Sequence, residues 1–232
     1  MALENPPPEA LGTEGLNSQT IGSYLRYSGW TGSKEVIAQL VRGDSVVLDV
    51  GCSSGVLGNE LRRRRNCSVY GIEVDQQAAE IAKRVYEKVF LGDIQTLFDL
   101  PVNYTNAFDF IIFADVLEHT TIPDKVLKHY LRYIKKNGSV IISLPNVANW
   151  LNRLQLLVGK WEYKDFGTLD RTHLRFYNYS GARKLILDSG LSIDRIDCTS
   201  GLHSLDFKAR LHNPAKLWKS VLAYQFIFKC NA

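Results

Sequence analysis

From about residue 34 onward the sequence alternates short β-branched runs with segments of helical period, and that alternation restricts the chain to a few architectures. Strands are predicted at 45–50, 68–73, 88–91, 108–113, 139–144, 192–198 and 223–229. Helices are predicted between them at 56–64, 76–85, 124–134, 147–158 and 181–188, with Ser180 placed to cap the last and Gly190 to end it. Runs such as FDFIIF and SVIISL are apolar on both faces, as strands covered by helices above and below must be. The pattern predicts an α/β, Rossmann-like, seven-stranded and mostly parallel sheet with helices on both faces. A long connection at about 199–222, with a short helix at 214–221 inside it, lets the last strand return antiparallel.

With 232 residues, 45% hydrophobic and 22% charged, the chain suits one core, read as a single domain over 21–232 behind a flexible tail at 1–20. No apolar run approaches the roughly 18 residues of a membrane span. The tail, with Pro6 to Pro8, has neither the basic start nor the apolar stretch of a targeting segment, so the expected location is cytoplasmic. Four scattered cysteines without a C-x-x-C pair are expected to be free thiols, with no metal. A net charge of +4 is too small to argue for nucleic acid. The run Arg62 to Arg65 has two readings, a solvated helix terminus and a phosphate-contacting patch.

The segment VLDVGCSSG places a glycine turn between the first strand and the first core helix, where an open sheet lets a ligand approach the backbone. A dinucleotide fingerprint needs glycine at positions held by Ser53 and Val56, and no phosphate-loop lysine follows. Gly51 to Gly55 also spells G-x-S-x-G, with Asp115 and His173 downstream in hydrolase order. That elbow, however, belongs after several strands, and here only one precedes it. Asp49, Gly51 and Gly55 fit the remaining pattern, D-x-G-x-x-x-G, in which small residues let the methionine half of S-adenosylmethionine lie on the backbone. Glu73 ends strand two, where a carboxylate accepts from a ribose diol, and Asp93 follows strand three, where one accepts from an adenine amino group. Taken singly, Glu73 and Asp93 also read as solvated strand ends.

The motifs VLDVGCSSG, YGIEVD, LGDI and FADVLEH resemble, in order, those of class I S-adenosylmethionine-dependent methyltransferases, over roughly 22–230. The resemblance implies methyl transfer, leaving S-adenosylhomocysteine, and a cofactor site of Asp49, Gly51, Cys52, Ser53, Gly55, Glu73, Val74, Asp93, Ile94, Ala114, Asp115 and Val116. Ser53, where many relatives have glycine, adds a hydroxyl near the cofactor's carboxylate. A second block, SLPNVANWLNRLQLLVGKWEYKDFGTLDRTHLRFY, is similar to a bacterial subfamily associated with glycosyltransferases of surface-polysaccharide pathways, and more weakly to methionine-biosynthesis protein W. This implies a small-molecule or glycan acceptor, a sugar hydroxyl first, with a glycosyltransferase as partner. The alternatives are a protein or RNA methyltransferase and a non-catalytic cofactor-binding module.

In-line methyl transfer to a hydroxyl needs positioning and a base. Asp115, Glu118 and His119 offer a divalent ion oxygen and nitrogen donors; they also read as a helix start that holds its loop by hydrogen bonds. The stretch at about 146–179 reads as a lid insertion. Its first half carries Trp150, Leu151, Leu154, Leu157 and Val158 at helical spacing, expected to pack inward. Its second half mixes aromatics with charges, including Arg171 and Arg175 for an anionic group. His173 is the first candidate base, with Asp170 and Arg171 beside it; an equal reading makes these three a structural cluster that anchors the lid. His203, Lys208, Arg210, His212, Lys216 and Lys219 in the late connection read as acceptor contacts, a partner surface or a solvated loop.

Overall fold

A computed structural model describes residues 32–200 and 218–232. The tail at 1–20, the basic residues at 203–216 and the first half of the helix expected at 214–221 lie outside the described residues.

Seven strands form one sheet in the order β3-β2-β1-β4-β5-β7-β6. They are β1 (Val46–Val50), β2 (Ser68–Glu73), β3 (Lys88–Leu91), β4 (Phe108–Ala114), β5 (Ile134–Pro145), β6 (Ser192–Thr199) and β7 (Gln225–Asn231). β1 to β5 run parallel to one another, and β7 lies antiparallel between β5 and β6. The helices are α1 (Gly32–Leu40), α2 (Val56–Arg65), α3 (Gln76–Ala82), α4 (Pro123–Tyr130), α5 (Trp150–Leu157), α6 (Tyr179–Asp188) and α7 (Lys219–Leu222).

The alternation along each strand produces two cores. Leu48, Val50, Ile111, Phe113, Ile142, Phe226 and Phe228 face α4 and α6 on one side. Val47, Phe110, Ile112, Ile141 and Ile227 face α1, α2 and α3 on the other. All four cysteines are buried and unpaired by disulfides, as the spacing predicts. Among the described residues no helix is long and apolar enough to cross a membrane.

Four sequence expectations are corrected. The helix predicted at 124–134 ends at Tyr130, and after one 3-10 turn Ile134 opens β5; an isolated β-branched residue within a helical pattern carries too little period to mark a strand start. The helix predicted at 76–85 stops at Ala82. Asn178, not Ser180, caps α6, its Oδ1 accepting from Gly181 N at 2.8 Å while the Ser180 hydroxyl donates to that same oxygen. The apolar stripe of α5 does not pack inward: Leu154 is 55% exposed, Leu157 83% and Val158 67%. Asn152 is the residue of α5 that is buried, because the asparagines of this segment are tied into the body and turn the helix polar face inward.

Candidate functional site

The carboxyl ends of β3, β2, β1 and β4 lie side by side, so the loops that follow them form one rim. Connections leave β1 toward β2 and β4 toward β5, and such a divergence opens a crevice at the strand ends. Asp49 and Val50 close β1, and the chain turns through Gly51 (φ 74°), Ser53 (φ 49°) and Gly55 (φ 84°) into α2. Gly51 N and Cys52 N both donate to Ile72 O, at 2.9 and 3.0 Å, which fastens the turn to β2. A Cβ on Gly51 would stand 2.5 Å from Val116 Cγ2, so the loop after β4 rests directly on this turn. Left-handed φ and that close approach both call for glycine at 51.

Helix α2 begins with Gly55 as its N-cap and therefore has no capping side chain. Tyr86 supplies one from outside: its hydroxyl accepts from Gly58 N at 3.0 Å and donates to Asp49 Oδ2 at 2.7 Å. The other carboxylate oxygen of Asp49, Oδ1, is buried without a partner. Burial pushes the Asp49 carboxyl up to about 6, against the Tyr86 hydrogen bond and the charge of Lys34, which pull it down. Lys34, on α1, is lowered by its own burial and raised by Asp115 and Asp49. A buried carboxylate oxygen with an open valence, at a turn that exposes backbone, suits a cationic group such as an ammonium.

Glu73 sits where the sequence places it, at the end of β2. Its Oε2 accepts from Ser53 N at 2.8 Å and its Oε1 from Val74 N and Asp75 N, each at 2.9 Å. These bonds clamp the carboxylate against the glycine turn. Val74 stands 64% exposed beside it, an apolar surface for a flat ring. Asp93 caps a 3-10 turn, its Oδ1 accepting from Gln95 N at 2.8 Å, with Ile94 buried beneath. Gln95 Oε1 in turn accepts from Thr121 N at 2.9 Å, tying the loop after β3 to the loop after β4. Cys52 contributes main chain only: its thiol packs beneath the turn, where it would meet a Cβ on Gly71 at 2.5 Å.

After Ala114 the chain turns at Asp115 (φ 56°). Asp115 Oδ1 accepts from the Ser143 hydroxyl at 2.6 Å and from Gln225 Nε2. This separates Asp115 from the group expected with it. The hydrolase arrangement is likewise not assembled, since Asp115 bonds to Ser143 and Gln225 while His173 Nδ1 has no partner.

Glu118 and His119 form a 3-10 turn with Leu117, and the lid closes onto them. Leu174 N and Arg175 N donate to Glu118 O at 2.8 and 3.0 Å, and Arg175 Nη2 donates to Thr121 O at 2.7 Å. Asp170 Oδ1 accepts from Thr172 N and the Thr172 hydroxyl, at 2.8 and 2.6 Å, which makes Asp170 a shaper of the lid turn. Arg171 points outward and pairs with exposed Asp165 at 2.6 Å, so the structure does not bring it to His173. His173 is buried, its ring 4.7 Å from that of His119 and its Nε2 4.0 Å from Glu118 Oε1. Burial, assisted by His119, lowers His173 to about 4, and burial raises Glu118 well above its ordinary value, with the charge of Asp115 adding to it. Glu118 Oε2 and His173 Nδ1 are both buried without partners. One ligand atom from each of Glu118, His119 and His173 lies within 4.8 Å of the others, a spacing that would admit a divalent ion.

Sequence reasoning missed Lys34, Tyr86, Ser143 and Gln225. None lies in a cofactor motif: Lys34, Ser143 and Gln225 reach the site from a helix and two strands whose own pattern is that of ordinary packing, and Tyr86 from the loop before β3.

Residues 32–178 match the family model described as methionine biosynthesis protein MetW. A ubiquinone biosynthesis O-methyltransferase of Neisseria meningitidis serogroup A is 29% identical over 117 residues, which is 49% of this chain and 49% of that protein. The chain thus spans about half the length of the curated relative it matches. Among solved structures, an S-adenosylmethionine-dependent methyltransferase of Archaeoglobus fulgidus superimposes with a TM-score of 0.61 at 15% identity, covering 93% of this chain and 100% of that one. Another from Thermotoga maritima gives 0.58 at 15%, covering 85% and 86%. The fold is the Rossmann-like methyltransferase fold.

Proposed function

The chain belongs to the methionine biosynthesis protein MetW family, and from that premise and the geometry of the glycine turn we propose that it is an S-adenosylmethionine-dependent methyltransferase. The observation that carries the reading is the buried, unpartnered Asp49 Oδ1 beside a turn that only glycine permits. Asp49 receives the ammonium of the cofactor's methionine half, the turn from Gly51 to Gly55 takes its main chain, Glu73 takes the ribose and Asp93 with Ile94 and Val74 takes the adenine. Ala114, Asp115 and Val116 close the side toward β4. When bound, S-adenosylmethionine supplies the electrophilic methyl group.

The pH dependence of binding follows from Asp49. Its carboxyl, raised to about 6, is charged above that pH and loses its attraction for an ammonium as pH falls below it. Cofactor affinity is therefore expected to be at its plateau near neutrality, where carboxylate and ammonium are both charged, and to fall by up to about tenfold per pH unit below about 6. An affinity unchanged between neutral pH and pH 5, measured by calorimetry, removes Asp49 from this role.

The acceptor is a hydroxyl on a ring-shaped small molecule or glycan, a sugar first. Support comes from the lid, where Trp161, Tyr163 and His173 each pack against the ring of Phe176 with centroids about 6 Å apart, which sets aromatic faces near His173 that are suited to a ring. The O-methyltransferase names of the curated relatives favour oxygen as the atom methylated. A glycosyltransferase that builds the acceptor is the partner this reading implies. His173 takes the acceptor's proton, with Glu118 beside it. Loss of turnover by about a hundredfold or more in His173→Gln and His173→Ala, with cofactor affinity retained, is the expected result; full activity in both sinks the base.

A second reading has a specific observation behind it: Glu118, His119 and His173, with two orphaned buried atoms among them, would hold a divalent ion, which when bound would lower the acceptor's pKa. Activity lost on chelation and restored by a divalent salt selects the ion. Activity indifferent to chelator selects the base.

A further inference from the structure

Helix α5 is built inside out. Its polar side is the one that faces the protein: Asn152 Nδ2 donates to Val147 O at 2.9 Å and to the Thr168 hydroxyl at 2.8 Å. The capping Asn149 is also buried, its Nδ2 donating to Asn146 O at 2.9 Å. The other side shows Leu151, Leu154, Leu157 and Val158 to water, with exposure rising to 83% at Leu157. Gly159, at φ 74°, has nothing within 4 Å of its Cβ direction, so the helix tip projects from the body.

Such a face costs free energy in water and marks a contact surface. Its shape and charge decide the occupant. Side chains exposed to this degree form a ridge, which a protein partner would have to match with a complementary groove, while a lipid layer deforms around it. Trp150 and Trp161 are each 41% exposed and Tyr163 54%, and these ring types favour the boundary between acyl chains and headgroups. Lys160 and Lys164 follow the ridge with Glu162 between them; the next carboxylate, Asp165, is paired with Arg171 at 2.6 Å, and Arg153 is folded back onto Ala148 O and Ser220 O. An apolar helix bordered by aromatic rings and long basic side chains lies in the plane of an anionic bilayer surface.

We infer that α5 and the segment through Lys164 dock the protein on anionic membrane surfaces, with the leucine ridge entering the acyl boundary and the basic side chains meeting lipid phosphates. The inference does not rest on the methyl-transfer reading, and its test needs no turnover. The full chain is floated with vesicles of phosphatidylcholine alone and of phosphatidylcholine containing phosphatidylglycerol. Flotation is expected with the second and not the first. The double variant Leu154→Glu/Leu157→Glu is expected to stay with free protein, and Lys160→Glu/Lys164→Glu to weaken binding by about tenfold or more. All four positions are exposed, and unchanged circular dichroism verifies each fold. No flotation of the wild type, equal flotation on both lipids, or flotation of the leucine variant like the wild type overturns the inference. So does light scattering that shows a dimer which Leu157→Glu dissolves, with no vesicle binding, since the ridge is then a self-association surface.

Discussion

Asp49→Asn is expected to weaken S-adenosylmethionine binding by about a hundredfold at neutral pH while making the unliganded protein more stable. The two effects share one cause. Asp49 is buried, one of its oxygens is unpaired, and its carboxyl is raised from 3.8 to about 6. A carboxyl raised on folding gives a folded state favoured below the unfolded pKa; that advantage disappears as pH rises through about 6, where the buried charge must be carried. At neutral pH the folded protein therefore pays about 1–3 kcal/mol for an ionised Asp49, which asparagine removes at nearly constant shape. Lys34 loses an opposing charge in the variant, and this places the gain toward the lower end. Cofactor affinity moves the other way, because a neutral amide offers an ammonium much less than a carboxylate does. Thermal unfolding and titration calorimetry on the two proteins measure both. A variant that binds as tightly as the wild type, or that is destabilised, contradicts the assignment.

Tyr86→Phe is the second large effect and runs opposite in stability. The hydroxyl it removes is the only cap that the first turn of α2 has in the described structure, since Gly55 offers no side chain, and it is also the donor to Asp49 Oδ2. Gly58 N and the Asp49 carboxylate are then both left buried without partners, at about 1–3 kcal/mol for each unsatisfied group. The Tyr86 hydrogen bond holds Asp49 down, so its loss raises the carboxyl further. The pH below which cofactor affinity falls should accordingly move upward in Tyr86→Phe. Denaturant unfolding gives the first quantity and affinity against pH the second. A destabilisation below about 0.5 kcal/mol shows that water replaces the hydroxyl and that the cap is not specific to Tyr86.

The sheet was legible because its strands are apolar on both faces, which separates them from the amphipathic helices beside them. Motif spacing placed Asp49, Glu73 and Asp93 at or just beyond the carboxyl ends of β1, β2 and β3 because each acidic residue marks where an apolar strand run gives way to a loop. Two kinds of feature were not legible. Tyr86, Lys34 and Gln225 act at the site from positions whose local pattern is packing, and their relation to Asp49 and Asp115 exists only after the chain has folded. The orientation of α5 was misread because a leucine stripe reads as buried by default. Three asparagines reversed it: Asn146, Asn149 and Asn152 are buried and hydrogen-bonded, so the helix must turn its leucines outward. Likewise Arg171 lies next to His173 in sequence space yet pairs outward with Asp165, since the Asp170 turn throws successive side chains to opposite sides.

Calorimetric titration of the full chain with S-adenosylmethionine and S-adenosylhomocysteine at neutral pH tests most directly whether the glycine turn and the carboxylates at the ends of β1, β2 and β3 form a cofactor site. One molecule of either is expected to bind per chain, with micromolar affinity that Asp49→Asn sharply weakens. Absence of binding by a chain whose circular dichroism shows it folded, or binding indifferent to Asp49→Asn, would contradict that site.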